Sequence, residues 1–135
     1  MNSLNFNYAE WHVIQMMEFG LTARQIAYIL PYAEYSVSSI KRDLFVKCSV
    51  ANATALVAKA MRLHVLLTDE EFELIRKIEQ GMTIAQIAKQ ENIPDTDLNA
   101  QFAVIFKKAH VKTLDELKKT ATRYQWLALY DRYLS

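Results

Sequence analysis

The segment of this chain best equipped for chemistry is SVSSIKRDLFVK, Ser36 to Lys47. It sets the hydroxyls of Ser36, Ser38 and Ser39 ahead of the cations Lys41, Arg42 and Lys47, and Asn52 follows shortly after. On a helix, cations and small donors at this spacing can engage the phosphates of a polyanion. They can equally form an ordinary solvated face, and composition alone does not choose between the two. Ser36 is read as a helix N-cap before it is read as a donor to a ligand.

Other chemistry has less support. His12, His64 and His110 are scattered, with no cysteine or carboxylate at ligand spacing, so no metal site is expected. Cys48 is the only cysteine, which excludes an intrachain disulfide; it reads as a small apolar filler on the core side of a helix. There is no glycine-rich phosphate loop, no HExxH and no nucleophile elbow. The carboxylates of DEEFE, Asp69 to Glu73, suit a helix N-terminus better than an acid/base pair. The expectation is therefore no enzyme, no cofactor and no small-molecule substrate.

The elements that must position the Ser36–Lys47 segment are written twice. EFGLTARQIA at Glu18 returns as EQGMTIAQIA at Glu79, an offset of 61 residues. With that offset Glu10, Trp11 and Ile14 fall on Glu71, Phe72 and Ile75, and Leu44, Val50 and Leu56 fall on Ile105, Val111 and Leu117. The matches lie mainly at apolar and turn positions, as two copies of one fold require. The offset predicts modules at 1–66 and 67–135.

Each copy reads as four helices. In the second, Thr68 with Glu71 forms a capping box and Gly81 closes the helix. Thr83 caps a short helix, Asp95 caps a third running to about Lys108, and Thr113 opens a fourth. In the first, the expected helices are about Tyr8–Phe19, Ala23–Leu30, Ser36–Lys47 and Ala53–Arg62, with PYAEY as the turn. HVLLTD, between the copies, is apolar enough to be a packed junction. With two glycines and two prolines in 135 residues, and many helix formers, the fold class is all-α.

Two short helices joined by a tight turn, the second amphipathic, make a helix-turn-helix, whose second helix fits the DNA major groove. The first copy resembles the LuxR/GerE-type module through Gly20, Leu21, Ile26-Ala27, Ser36-Val37, Leu44, Lys47, Val50, Asn52, Leu56-Val57 and Ala60. The second resembles it through Leu67-Thr68, Gly81, Ile87-Ala88, Ile93, Leu98, Ile105, Lys108, Val111, Glu116-Leu117 and Ala121. The resemblance implies tandem four-helix modules and regulation of bacterial or phage transcription. It implies a DNA-binding surface at Ser36, Ser38, Ser39, Lys41, Arg42, Lys47 and Asn52. Ser38, Ile40 and Ala53 depart from the cations and polar residues the family usually carries there. In the second copy Asp95 and Asp97 would lie near phosphates and repel them. A different reading of the same resemblance is a degenerate scaffold that binds a transcription factor or polymerase and no DNA.

Net charge is +1, but residues 1–66 hold six Lys/Arg against four Asp/Glu, while 67–135 hold ten against eleven. The first copy is thus the better polyanion binder. The tail crowds Tyr124, Trp126, Tyr130 and Tyr133 into ten residues. These rings either pack on the body or form a surface for a protein partner or a homodimer. The N-terminus lacks the pattern of a secretory leader, and no apolar run is long enough for a membrane span, so a cytoplasmic protein is expected.

Overall fold

The computed structural model describes residues 4–135. The reading of the N-terminus as lacking a leader falls in part on residues 1–3, outside the described ones. Among the described residues there are nine α-helices and no strand. They are α1 (Tyr8–Glu18), α2 (Ala23–Ile29), α3 (Glu34–Lys47), α4 (Ala53–Arg62), α5 (Asp69–Glu79), α6 (Ile84–Glu91), α7 (Asp95–Ala109), α8 (Leu114–Arg123) and α9 (Trp126–Tyr133).

The starts of α1 to α4 and α5 to α8 differ by 61 residues in every case. The devices that end and begin these helices repeat too. Asn7 and Thr68 each close a capping box with the glutamate three residues on, and Thr22 and Thr83 do so with a glutamine. Asn52 and Thr113 cap the fourth helix of each unit. Gly20 and Gly81 turn the chain at φ +86° and +91°, where a side chain would be strained. Ser49 and His110 share a left-handed conformation, as do His64 and Gln125. The backbone therefore folds alike at these positions; the exception is Asn92, left-handed at the end of α6, where the first unit has Pro31.

Two caps differ from expectation. α3 begins at Glu34, with Ala33 as its N-cap and no side-chain bond, so Ser36 lies inside the first turn and Glu34-Tyr35 belong to the helix. α7 begins at Asp95, after Pro94, so Asp95 is not its cap. In both, the residue that turns the chain into the helix has extended backbone, at ψ 154° and 150°, and no polar side chain to donate.

The two units share one apolar core. The junction is packed, with Leu66 and Leu67 buried, and Gln15 Oε1 accepts from the Leu67 N–H at 3.1 Å. Trp11 Nε1 donates to the Val65 carbonyl at 2.8 Å, and its ring meets Trp126 edge-on at 5.7 Å. Phe72 of α5 stacks on Tyr130 of α9 at 4.4 Å. Through these two contacts α9 bridges the matching helices α1 and α5. No helix among the described residues is long and apolar enough to cross a membrane.

Candidate nucleic-acid interface

α2 and α3 carry the predicted site. The Thr22–Gln25 box starts α2, Pro31 stops it, and Ile26, Val37 and Leu44 bury the inner faces of the pair. What remains outward is set by helical spacing. Ser36, Ser38, Ser39 and Lys41 are half-buried and Arg42 is exposed. Among the described residues no carboxylate lies within ion-pair distance of Arg24, Lys41 or Arg42.

Two predicted site residues are instead part of the scaffold. Lys47 Nζ bonds Glu10 at 2.9 Å and lies 5.3 Å above the Phe6 ring, so it ties the end of α3 to the start of α1. Asn52 accepts from the Ala55 N–H at 2.9 Å as the cap of α4. The repeat carries the signal that separates them. Lys108 and Glu71, at the matching positions, form the same ion pair at 2.7 Å, and Thr113 is the same cap. A residue that keeps one job in both copies is holding the fold. By contrast Lys41 and Arg42 fall on Phe102 and Ala103, and Ser36 and Ser38 on Asp97 and Asn99.

The equivalent face of the second unit is of opposite character. Asp95 and Asp97 occupy the first turn of α7, where they favour the helix dipole and would repel phosphate. From α6 through α7 three lysines face three carboxylates, whereas α2 through α3 has four cations to two carboxylates; one cation of each set, Lys108 and Lys47, is paired within the chain.

The first unit also exposes apolar groups that periodicity did not mark. Tyr28 and Tyr35 are each 79% exposed, on either side of the α2–α3 turn, and Val46 is 81% exposed. Arg24, Tyr28 and Glu34 line a shallow depression there. The repeat again holds the clue, since the second copy has Lys89, Thr96 and Lys107 at these positions.

In the aromatic tail Tyr124, Trp126 and Tyr130 pack on the body of their own chain, the first of the two expected arrangements, which removes them from a partner surface; only Tyr133 of the four is exposed. Tyr124 shares a hydroxyl hydrogen bond with Tyr8 at 3.3 Å and meets the His12 ring at 4.9 Å. His12 is fully buried among Tyr8, Trp11, Tyr124 and Trp126, and neither ring nitrogen has a hydrogen-bond partner among the described residues. Burial, with the nearby His110, pushes its pKa down to about 3. Cys48 is buried at the C-cap of α3, and desolvation pushes its thiol pKa up, against activation as a nucleophile.

No family model, curated protein or solved structure matches the chain.

Proposed function

We propose that this protein is a transcription regulator built on tandem helix-turn-helix modules of the LuxR/GerE type. Its first module binds double-stranded DNA by setting α3 in the major groove. The second module has diverged to another task. The observation carrying this reading is the set of cations Arg24, Lys41 and Arg42 on the α2–α3 pair, none held by a carboxylate among the described residues, where the matching positions of the second unit are Ala85, Phe102 and Ala103. Cations left unpaired on a helix pair of this kind can neutralise phosphates on binding and release counterions.

The test is duplex binding against salt concentration. The wild type should bind random duplex at low salt, with log K falling steeply as log salt rises. Lys41→Ala/Arg42→Ala should flatten that slope by about two, one per lost phosphate contact. Absence of binding at low salt would sink the reading.

A second reading rests on Tyr28, Tyr35 and Val46. Exposed rings beside the turn suit a protein surface better than a phosphate backbone. In that case the scaffold contacts a transcription factor or polymerase, and Tyr28→Ala/Tyr35→Ala abolishes its action while Lys41→Ala/Arg42→Ala does not.

A further inference from the structure

The two units differ most in one groove, at the meeting of the first helix, the end of the second and the start of the third. In the first unit this groove is filled. Tyr124, the C-cap of α8, seats its ring on His12 and bonds Tyr8, and burial, with Tyr124 nearby, pushes the Tyr32 hydroxyl pKa up. The matching positions of Tyr8, His12 and Tyr32 in the second unit are Asp69, Glu73 and Ile93. These three line an open groove of about 510 Å³, floored by Leu74 and Leu98 and rimmed also by Glu70 and Glu91. The same concavity is thus aromatic and occupied in one unit, acidic and open in the other.

The residue that matches Tyr124 in the first unit is Leu63. It is the C-cap of α4, as Tyr124 is the C-cap of α8. Tyr124 is buried, but Leu63 is 47% exposed and Met61, two residues back, is 55% exposed. Between them Arg62 is exposed and makes no ion pair among the described residues. The chain therefore carries an apolar helix end with a cation on one unit and an acidic groove with an apolar floor on the other.

We propose that the second-unit groove is a self-association site that receives the end of α4, Met61 to Leu63, from another copy of this chain. The internal seating of the α8 end supplies the shape. Glu73 and Glu91 are held by Arg76 and Lys77, so Arg62 against Asp69 and Glu70 supplies the charge match. Unlike surfaces meet in this contact, so it is heterologous and either closes a ring or extends. It is separate from α3 and does not depend on DNA binding.

Sedimentation velocity of the full chain, from micromolar to near-millimolar at low salt, tests the proposal. The weight-average mass should rise with concentration and fall with added salt. Leu63→Asp should weaken association by at least about tenfold, because a buried leucine side chain is lost. Arg62→Glu and Glu70→Arg should each weaken it by about threefold. Mixing those two variants should recover hetero-association, because the reversed charges face each other again. All three positions of change are exposed, so unchanged melting curves serve as the folding control, and Lys41→Ala/Arg42→Ala should associate as wild type does. A monomer at every concentration in low salt overturns the proposal. So does association that is indifferent to Leu63→Asp and Glu70→Arg. Seating of a basic–aromatic peptide in the groove of a chain that stays monomeric also overturns it, because the groove then serves a different protein.

Discussion

The first and second units are built alike and finished differently. Their helix starts, N-caps and one ion pair coincide at the same offset, as do all their left-handed residues but Asn92, which falls on Pro31. Their outward faces do not: Lys41-Arg42 opposes Phe102-Ala103, and the groove of Tyr8, His12 and Tyr32 opposes Asp69, Glu73 and Ile93. A duplicated fold thus sorts its own residues. Positions that agree hold the scaffold, and positions that differ are free to bind. By this standard Lys47 and Asn52 leave the candidate interface, while Arg24, Lys41 and Arg42 stay in it.

The comparison breaks most visibly if α9 is cut loose from the shared core. Trp126→Ala removes a fully buried ring that touches Trp11 of the other unit. It should cost about 3–5 kcal/mol in chemical denaturation and leave one cooperative transition. Two separated transitions would show that the units hold together independently.

Acid should act on the first unit through His12, whose counterpart Glu73 is exposed. The folded pKa of His12, about 3, lies below its ordinary 6.5, so the unfolded chain binds the extra proton. Stability is then fully present above pH 6.5 and declines as pH falls towards the folded value. The loss at pH 5 should be about 2 kcal/mol. The groups facing the ring are Tyr8, Tyr124 and His110, none of them a carboxylate that could hold the imidazolium. His12→Phe should remove this slope between pH 5 and 7 without lowering stability at pH 7. A slope that persists in that variant would place the acid sensitivity elsewhere.

The repeated ion pair sharpens the comparison at a smaller scale. Lys108 and Glu71 keep only 11% and 12% of their side chains exposed, and Lys108 also donates to the Leu66 carbonyl. Lys47 is 34% exposed, against 15% for Glu10. Lys108→Ala should therefore cost about 2 kcal/mol and Lys47→Ala about 1 kcal/mol or less, read from urea midpoints. If Lys47→Ala instead leaves stability unchanged and flattens the salt dependence of duplex binding, Lys47 returns to the interface.

Legibility followed the range of the interactions involved. Thr68 with Glu71, Thr22 with Gln25 and Gly81 after α5 act within a turn of their own helix, so their spacing announces them. α3 and α7 both start earlier than their polar residues suggest, because Ala33 and Pro94 turn the chain with no side-chain cap to read. Tyr28 and Tyr35 escaped notice because an aromatic at a helical position looks like core until its neighbours are known.

The sequence by itself determined an all-helical chain, its repeat, most of its helix ends, and the contrast in charge between the two third helices. Those properties rest on local periodicity, capping and composition. Only the tertiary structure decided that Tyr124, Trp126 and Tyr130 face inward, that Lys47 answers Glu10 across 37 residues, and that Tyr8 meets Tyr124 across 116. An apolar ring can lower its free energy against its own chain or against another, and a lysine can pair with any carboxylate in reach. Which partner it meets depends on how distant helices pack, and that packing also left one groove filled and its twin open.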